Sequence, residues 1–153
     1  MISLSTPYDT WFSELLIGSF EAATGTELIP GDVADAGAAQ WLYHAPFAVL
    51  AQDDAADPRF VYANLAAQRC FEYGWDEFTG LPSRLSAEEG NRDQRQAFMD
   101  TVLERGQVSG YRGLRVSKSG RRFWIEDTTV WNLADRDGAL HGQAALVRHW
   151  SDA

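Results

Sequence analysis

Few side chains in this sequence carry reactive chemistry, and their spacing argues against most of what they might do. Cys70 is the only thiol. It cannot form an intrachain disulfide, so pairing does not set the redox compartment, and a reducing cytoplasm is the simplest fit. His44 sits just before Ala45-Pro46, His141 at a turn between strands and His149 near the C-terminal end. Those positions do not converge on a metal site, and structural or solvated imidazoles are expected. Asp127 and Tyr111 can be offered as base and electrophile of a small cavity enzyme, an isomerase or hydrolase. No nucleophile–base–orienter set, phosphate loop or dinucleotide fingerprint accompanies them, so the reading is that the chain is not an enzyme and has no catalytic residue.

The remaining polar residues of interest alternate along three β-rich runs. Residues two apart on a strand share a face. Tyr111, Gly113 and Arg115 therefore go together, as do Phe123, Ile125, Asp127, Thr129 and Trp131, and as do Gln143, Ala145 and Val147. An arginine and an aspartate turned into a low-dielectric interior would each cost several kcal/mol unless paired or hydrogen-bonded (about that much per ion).

These strands need a scaffold. At 153 residues with 45% hydrophobic content, the chain has the size and composition of one domain able to bury a core without metal or cystine. Thirteen Lys and Arg against 22 Asp and Glu give a formal charge of −9, which repels phosphate backbones and anionic lipid heads. Nucleic-acid and membrane partners are not expected. The apolar stretch from Trp11 to Phe20 is broken by Ser13, Glu14 and Ser19 and lacks a basic flank, unlike a signal peptide or a spanning helix; a cytoplasmic location is expected.

Thr6-Pro7 offers a helix start, and Tyr8, Trp11, Phe12, Leu15, Leu16 and Phe20 recur at helical steps until Gly25. A second, Ala-rich helix is expected from about Asp32 to His44. Phe47–Leu50 and Phe60–Tyr62 read as an antiparallel pair, Asn64 as the cap of a helix through Cys70 and Phe71, and Trp75–Gly80 as a helical turn. Ser86 with Glu89, or Asn91 with Gln94, could open a helix carrying Phe98, Met99, Val102 and Leu103 to Gly106. Val108–Val116, Phe123–Leu133 and Leu140–Trp150 then form a meander split by the turns at Lys118–Gly120 and Asp135–Gly138. The sum is an α+β domain with a five-stranded antiparallel sheet and helices on one face. We divide it into N-terminal flanking helices, 1–44, and a sheet domain, 45–153.

Asn64-Leu65-Ala66-Ala67, Cys70, Tyr73, Glu77, Phe78 and Gly80 after a strand resemble the helical belt of the PAS fold, and Lys118-Ser119-Gly120 leading into Phe123-Trp124-Ile125-Glu126 resembles its third-strand signature. The chain is most similar to the MEKHLA domain, a PAS-related family found alone in bacteria and at the C-terminus of plant class III homeodomain–leucine-zipper proteins. Ala45-Pro46-Phe47, Asp57-Pro58, Tyr62-Ala63-Asn64, the run Leu81–Glu88, Gly120–Phe123, Val130–Leu133 and His141–Ala145 carry that likeness. The resemblance implies sensing or interaction, and places Cys70 where PAS sequences hold a buried leucine, an inert thiol rather than a redox switch.

The cofactors of PAS relatives fit poorly. The cysteine that forms the flavin adduct in LOV photosensors corresponds to Ser83; the two flavin-binding asparagines correspond to Arg115 and Ile125, and the last-strand glutamine to Val147. Haem would need an axial histidine, and Ser86–Gly106 contains none. Both LOV-type flavin and His-ligated haem are disfavoured, and the cofactor stays unknown. The LOV inner face, carried over, directs Tyr111, Arg115, Phe123, Asp127, Thr129, Trp131 and Gln143 inward. Either Arg115, Asp127, Tyr111 and Gln143 satisfy one another and ordered water, or a small polar or anionic ligand is held by Arg115, oriented by Tyr111, Thr129 or Gln143 and walled by Phe123 and Trp131.

The opposite parity leaves Trp124, Glu126, Thr128, Val130, Ala144, Leu146 and Arg148 outside. That face wants a cover, from the Tyr8–Phe20 helix of the same chain or of a second copy. A homodimer through Trp11, Phe12, Leu15, Leu16 and Phe20 and the sheet near Trp124 is expected, with an unidentified signalling protein receiving the output in trans. Five basic residues between Arg112 and Arg122 read as a solvated edge that resists strand-to-strand aggregation. The competing class is a dimerisation scaffold with a filled core and no ligand.

Overall fold

Asp9, not Thr6, starts the first helix: its Oδ1 accepts from Phe12 N at 2.8 Å, and α1 (Thr10–Thr24) ends in Gly25 in the left-handed region, φ 73°. The computed structural model describes residues 2–33 and 35–153. After α1 come α2 (Asp35–Tyr43), β1 (Ala48–Asp53), β2 (Phe60–Ala63), α3 (Leu65–Phe71) and α4 (Trp75–Phe78). Two short 3-10 turns, Ser83–Ser86 and Glu89–Asn91, lead into α5 (Arg92–Arg105), and then β3 (Gln107–Val116), β4 (Arg122–Ala134) and β5 (Leu140–Asp152) complete the chain. Asn91 occupies the cap position of α5 without making the side-chain bond that its capping box implied.

The five strands form one antiparallel sheet in the order β2-β1-β5-β4-β3, so the last strand closes between the first and fourth. α3, α4 and α5 cover one face. α1 and α2 cover the other within the same chain: Phe12, Leu15, Leu16 and Phe20 are buried with Val49, Ala51, Trp131, Leu133, Ala144 and Leu146. Trp131 is the pivot of that layer, edge-on to Phe20 at 4.9 Å with its indole N–H donating to Ser19 Oγ at 2.9 Å. The belt α3–α5 thus stands on one face and the N-terminal flanking helices on the other, the same-chain cover that the outer face called for. Of the aromatic stripe expected as a dimer surface, only Trp11 stays open, 49% exposed.

Asn64 holds the junction between the two layers. Fully buried, its Oδ1 accepts from Val49 N at 2.9 Å and Ala67 N at 3.1 Å, while its Nδ2 donates to Leu42 O and Phe47 O. One amide therefore fastens the end of α2, the approach to β1, β1 itself and the start of α3, with no capacity left over.

β4 does not alternate throughout. Phe123 and Ile125 face the α3–α5 layer, but Asp127 takes φ 46°, a left-handed conformation, and is exposed. Between the pairs Gly113↔Ile125 and Tyr111↔Thr128, two steps on β3 face three on β4, a β-bulge. Beyond it the faces exchange: Thr128 and Val130, paired with Val147 and Ala145, lie on the α5 side, whereas Thr129 and Trp131, paired with Leu146 and Ala144, lie under α1. A single extra residue turns every later side chain over.

Candidate functional site

Between α5 and the inner face of the sheet lies a cavity of about 40 Å³, lined among others by Leu50, Gln52, Phe71, Ser86, Arg95, Met99, Arg115, Val130, Gln143 and Val147. That is room for about three waters or a solute of a few heavy atoms. Its wall is apolar except where two guanidinium groups, two carboxamides and the Ser86 hydroxyl break it.

Arg115 comes from β3, 7% exposed, with Nη1 donating to Leu114 O at 2.9 Å and Nη2 to Tyr111 Oη at 3.4 Å. Gly113 makes that pairing: a Cβ there would stand 2.7 Å from Tyr111 Cζ and 2.9 Å from Arg115 Nη1. Tyr111 is held from the far side by Phe98 of α5, ring on ring at 3.6 Å. Gln143 sits on β5 with Nε2 donating to Met99 O at 3.0 Å and Asn132 Oδ1 at 3.2 Å. Its Oε1 accepts from Gln52 Nε2 at 3.5 Å, and Gln52 Oε1 accepts from Arg95 Nη2 at 3.0 Å.

Arg95 is the residue that sequence reasoning missed. It is 8% exposed, and its Nε has no partner among the described residues. Burial, and next the like charge of Arg115, push its pKa below the ordinary arginine value, which says that the cation is held at a penalty. None of the ion pairs among the described residues involves Arg95 or Arg115. The signal was present in the spacing, since Arg95, Met99 and Val102 fall on one helical stripe and are the buried residues of α5. An arginine on an apolar stripe marks a buried charge.

The other expected site residues divide. Tyr111, Arg115 and Gln143 are brought together on the inner face. Phe123 is on that face too, fully buried, but packs edge-on against Phe71 at 5.1 Å. Asp127, Thr129 and Trp131 do not line the cavity, because the bulge reverses the strand before them. Asp127 is in solvent with its carbonyl taken by Arg148 Nη1, Thr129 Oγ1 donates to Ser109 Oγ on the other face, and Trp131 lies beneath α1. For the same reason Thr128 and Val130, expected outside, are inside. Arg115 thus loses the carboxylate that was its expected counter-charge.

Cys70 is buried among Phe71, Phe78 and Phe123, and burial pushes its thiol up to about 12. Ser83, standing where LOV proteins place their cysteine, is also buried, with an Oγ that finds no partner among the described residues. Its hydroxyl cannot form the thiol adduct of the light-oxygen-voltage photosensors. The basic hairpin lies at the sheet edge, β3 being the last strand of the order, and its charges are solvated but paired. Arg112 lies over Trp124 at 3.7 Å, Lys118 pairs with Glu77, Arg122 with Glu88, and Arg121 with Glu72 at 3.0 Å and Asp152 at 2.8 Å. Three of those contacts tie the hairpin to the α3–α4 belt or to the turn before α5.

The sequence matches the MEKHLA domain over residues 10–152. The chain belongs to the MEKHLA domain family. Solved structures place this MEKHLA domain within the PAS fold. A PAS domain of a protein from Colwellia psychrerythraea superposes with TM-score 0.63 at 16% identity, covering 75% of this chain and 92% of that one. An RNA-binding light-oxygen-voltage receptor gives TM-score 0.65 at 21% identity over 83% of this chain and 35% of its own, and a light-oxygen-voltage domain studied with a flavin analogue gives 0.56 at 20% over 75% and 83%. No curated protein matches the chain. Among the described residues, no helix is long and apolar enough to cross a membrane, and no group of three or more His, Cys, Asp or Glu could hold a metal ion.

Proposed function

We propose that this MEKHLA domain is a sensory or regulatory module whose cavity takes a small anionic ligand and which signals in trans. One observation carries the reading: two buried guanidinium groups, Arg95 and Arg115, border the same cavity without a carboxylate partner among the described residues, one of them with an unused N–H. Such a pair raises the energy of the empty state and is relieved by an anion, which supplies charge-assisted hydrogen bonds in a low dielectric. Gln52 and Gln143 complete the polar wall, and Ser86 adds a hydroxyl. A homodimer belongs to the same proposal. It rests on Trp11 and on the half-buried Trp124 patch, the parts of the expected surface that the chain does not cover itself.

Native mass spectrometry of freshly purified protein, together with thermal unfolding against small carboxylates, inorganic oxyanions, neutral amides and amines, tests the proposal. A co-purified or added anion should raise the midpoint in wild type but not in Arg95→Met. Conversion of the bound compound would put an enzyme in its place, and no shift from any anion would leave only a scaffold.

A further inference from the structure

The arginine cavity has a neighbour of opposite sign. A cleft of about 200 Å³ opens between the β1–β2 loop, the outer side of α5 and the start of β5, with Asp53, Asp54 and Asp100 on its wall. The two spaces share Gln52, Met99 and Gln143, so those side chains are the partition between them. Asp53 is committed to its own loop, its Oδ1 accepting from Ala55 N and Arg59 N. Among the described residues Asp100 accepts only from Gln96, one turn earlier on α5, and both Asp100 and Asp54 are exposed. The partition is weak at one point, the 3.5 Å bond between Gln52 and Gln143.

A plain anion approaching through this cleft meets carboxylates first, on a protein whose formal charge is already −9. A ligand with a cationic end meets attraction at the mouth and, past the partition, two arginines. We infer that the ligand is a small amino carboxylate, its carboxylate on Arg95 and Arg115 and its ammonium reaching the cleft beside Asp54 and Asp100. The inference rests on the anion-binding reading and adds the cationic end. Its size follows from the cavity, which admits a carboxylate and one or two carbons, the rest of the molecule passing between Gln52 and Gln143.

Calorimetric titration with pairs that differ by the terminal amino group separates the two claims. γ-Aminobutyrate and β-alanine should bind about tenfold or more tightly than butyrate and propionate, with butylamine showing no binding. In the Asp54→Asn/Asp100→Asn variant the ratio between γ-aminobutyrate and butyrate should fall to about twofold. Equal affinities for both members of each pair, or an undiminished ratio in the double variant, would overturn the amino-carboxylate inference and leave the anion reading standing. Absence of binding by all four carboxylates would overturn both.

Discussion

A buried arginine with an idle N–H is an expensive residue to keep, and its removal separates binding from stability. Replacing buried charges by apolar residues of similar volume is often neutral or favourable. Arg95→Met should therefore leave the free protein within about 1 kcal/mol of wild type, or more stable, while it eliminates stabilisation by anions; chemical denaturation with and without propionate measures both. A loss of about 3 kcal/mol in the free protein would make Arg95 a structural strut instead. Asn64 is the opposite case. All its hydrogen-bonding atoms are used, so Asn64→Leu strands the Val49 and Ala67 N–H groups and the Phe47 carbonyl and should cost about 3 kcal/mol in denaturant unfolding, whereas the Leu42 carbonyl keeps Ala45 N as a donor.

At the scale of elements, the strand β4 and its hairpin decide what the cavity contains. Asp127 occupies left-handed backbone where a β-branched residue is poorly tolerated, so Asp127→Val should destabilise by about 1–2 kcal/mol although the side chain is in solvent. Asp127→Gly should be neutral or stabilising; the two variants together, read by thermal unfolding, test the bulge that turns Trp131 away from the site. The hairpin is also clasped to α3 through Glu72, whose carboxyl is drawn from 4.5 to about 2 by hydrogen bonds from Ser119 and then Arg121. A depressed carboxyl contributes stability above its unfolded value and loses it as the pH falls through the folded one. Stability should thus decline from about pH 4.5 toward pH 2, and Glu72→Gln should flatten that part of the profile in acid-unfolding curves.

Element order and the local pairings, β1 with β2 and the β3–β4–β5 meander, were legible because they rest on local signals: Asn64 as a cap, Gly25 and Gly106 as stops, and two polar–glycine turns; the long-range pairing of β1 with β5 has no such signal. The site was half legible. Parity located Tyr111, Gly113 and Arg115 because the extra residue of the bulge lies on β4 and leaves the alternation along β3 intact, and it misplaced Asp127, Thr129 and Trp131 because no residue type announces a bulge when aspartate, rather than glycine, takes the left-handed turn. Arg95 went unnoticed among the polar residues of α5, where its place on the Met99–Val102 stripe was the available clue.

For the whole molecule, two layers of helix enclose one sheet, and only the α3–α5 side leaves a polar interior. The α1 side is closed by Trp131 and the aromatic face of α1, so a second copy has Trp11 left to grip. Sedimentation should give a dimer mass that Trp11→Ser lowers to a monomer; a monomeric wild type would remove the homodimer from the account. The central claim is that Arg95 and Arg115 receive an anion together. Its most direct test is an NMR titration of the arginine Nε–Hε signals with propionate. The account predicts saturable shifts at Arg95 and Arg115, with the Trp131 indole unmoved on the opposite face. Arginine signals that stay fixed, or that move only linearly with salt, would contradict it.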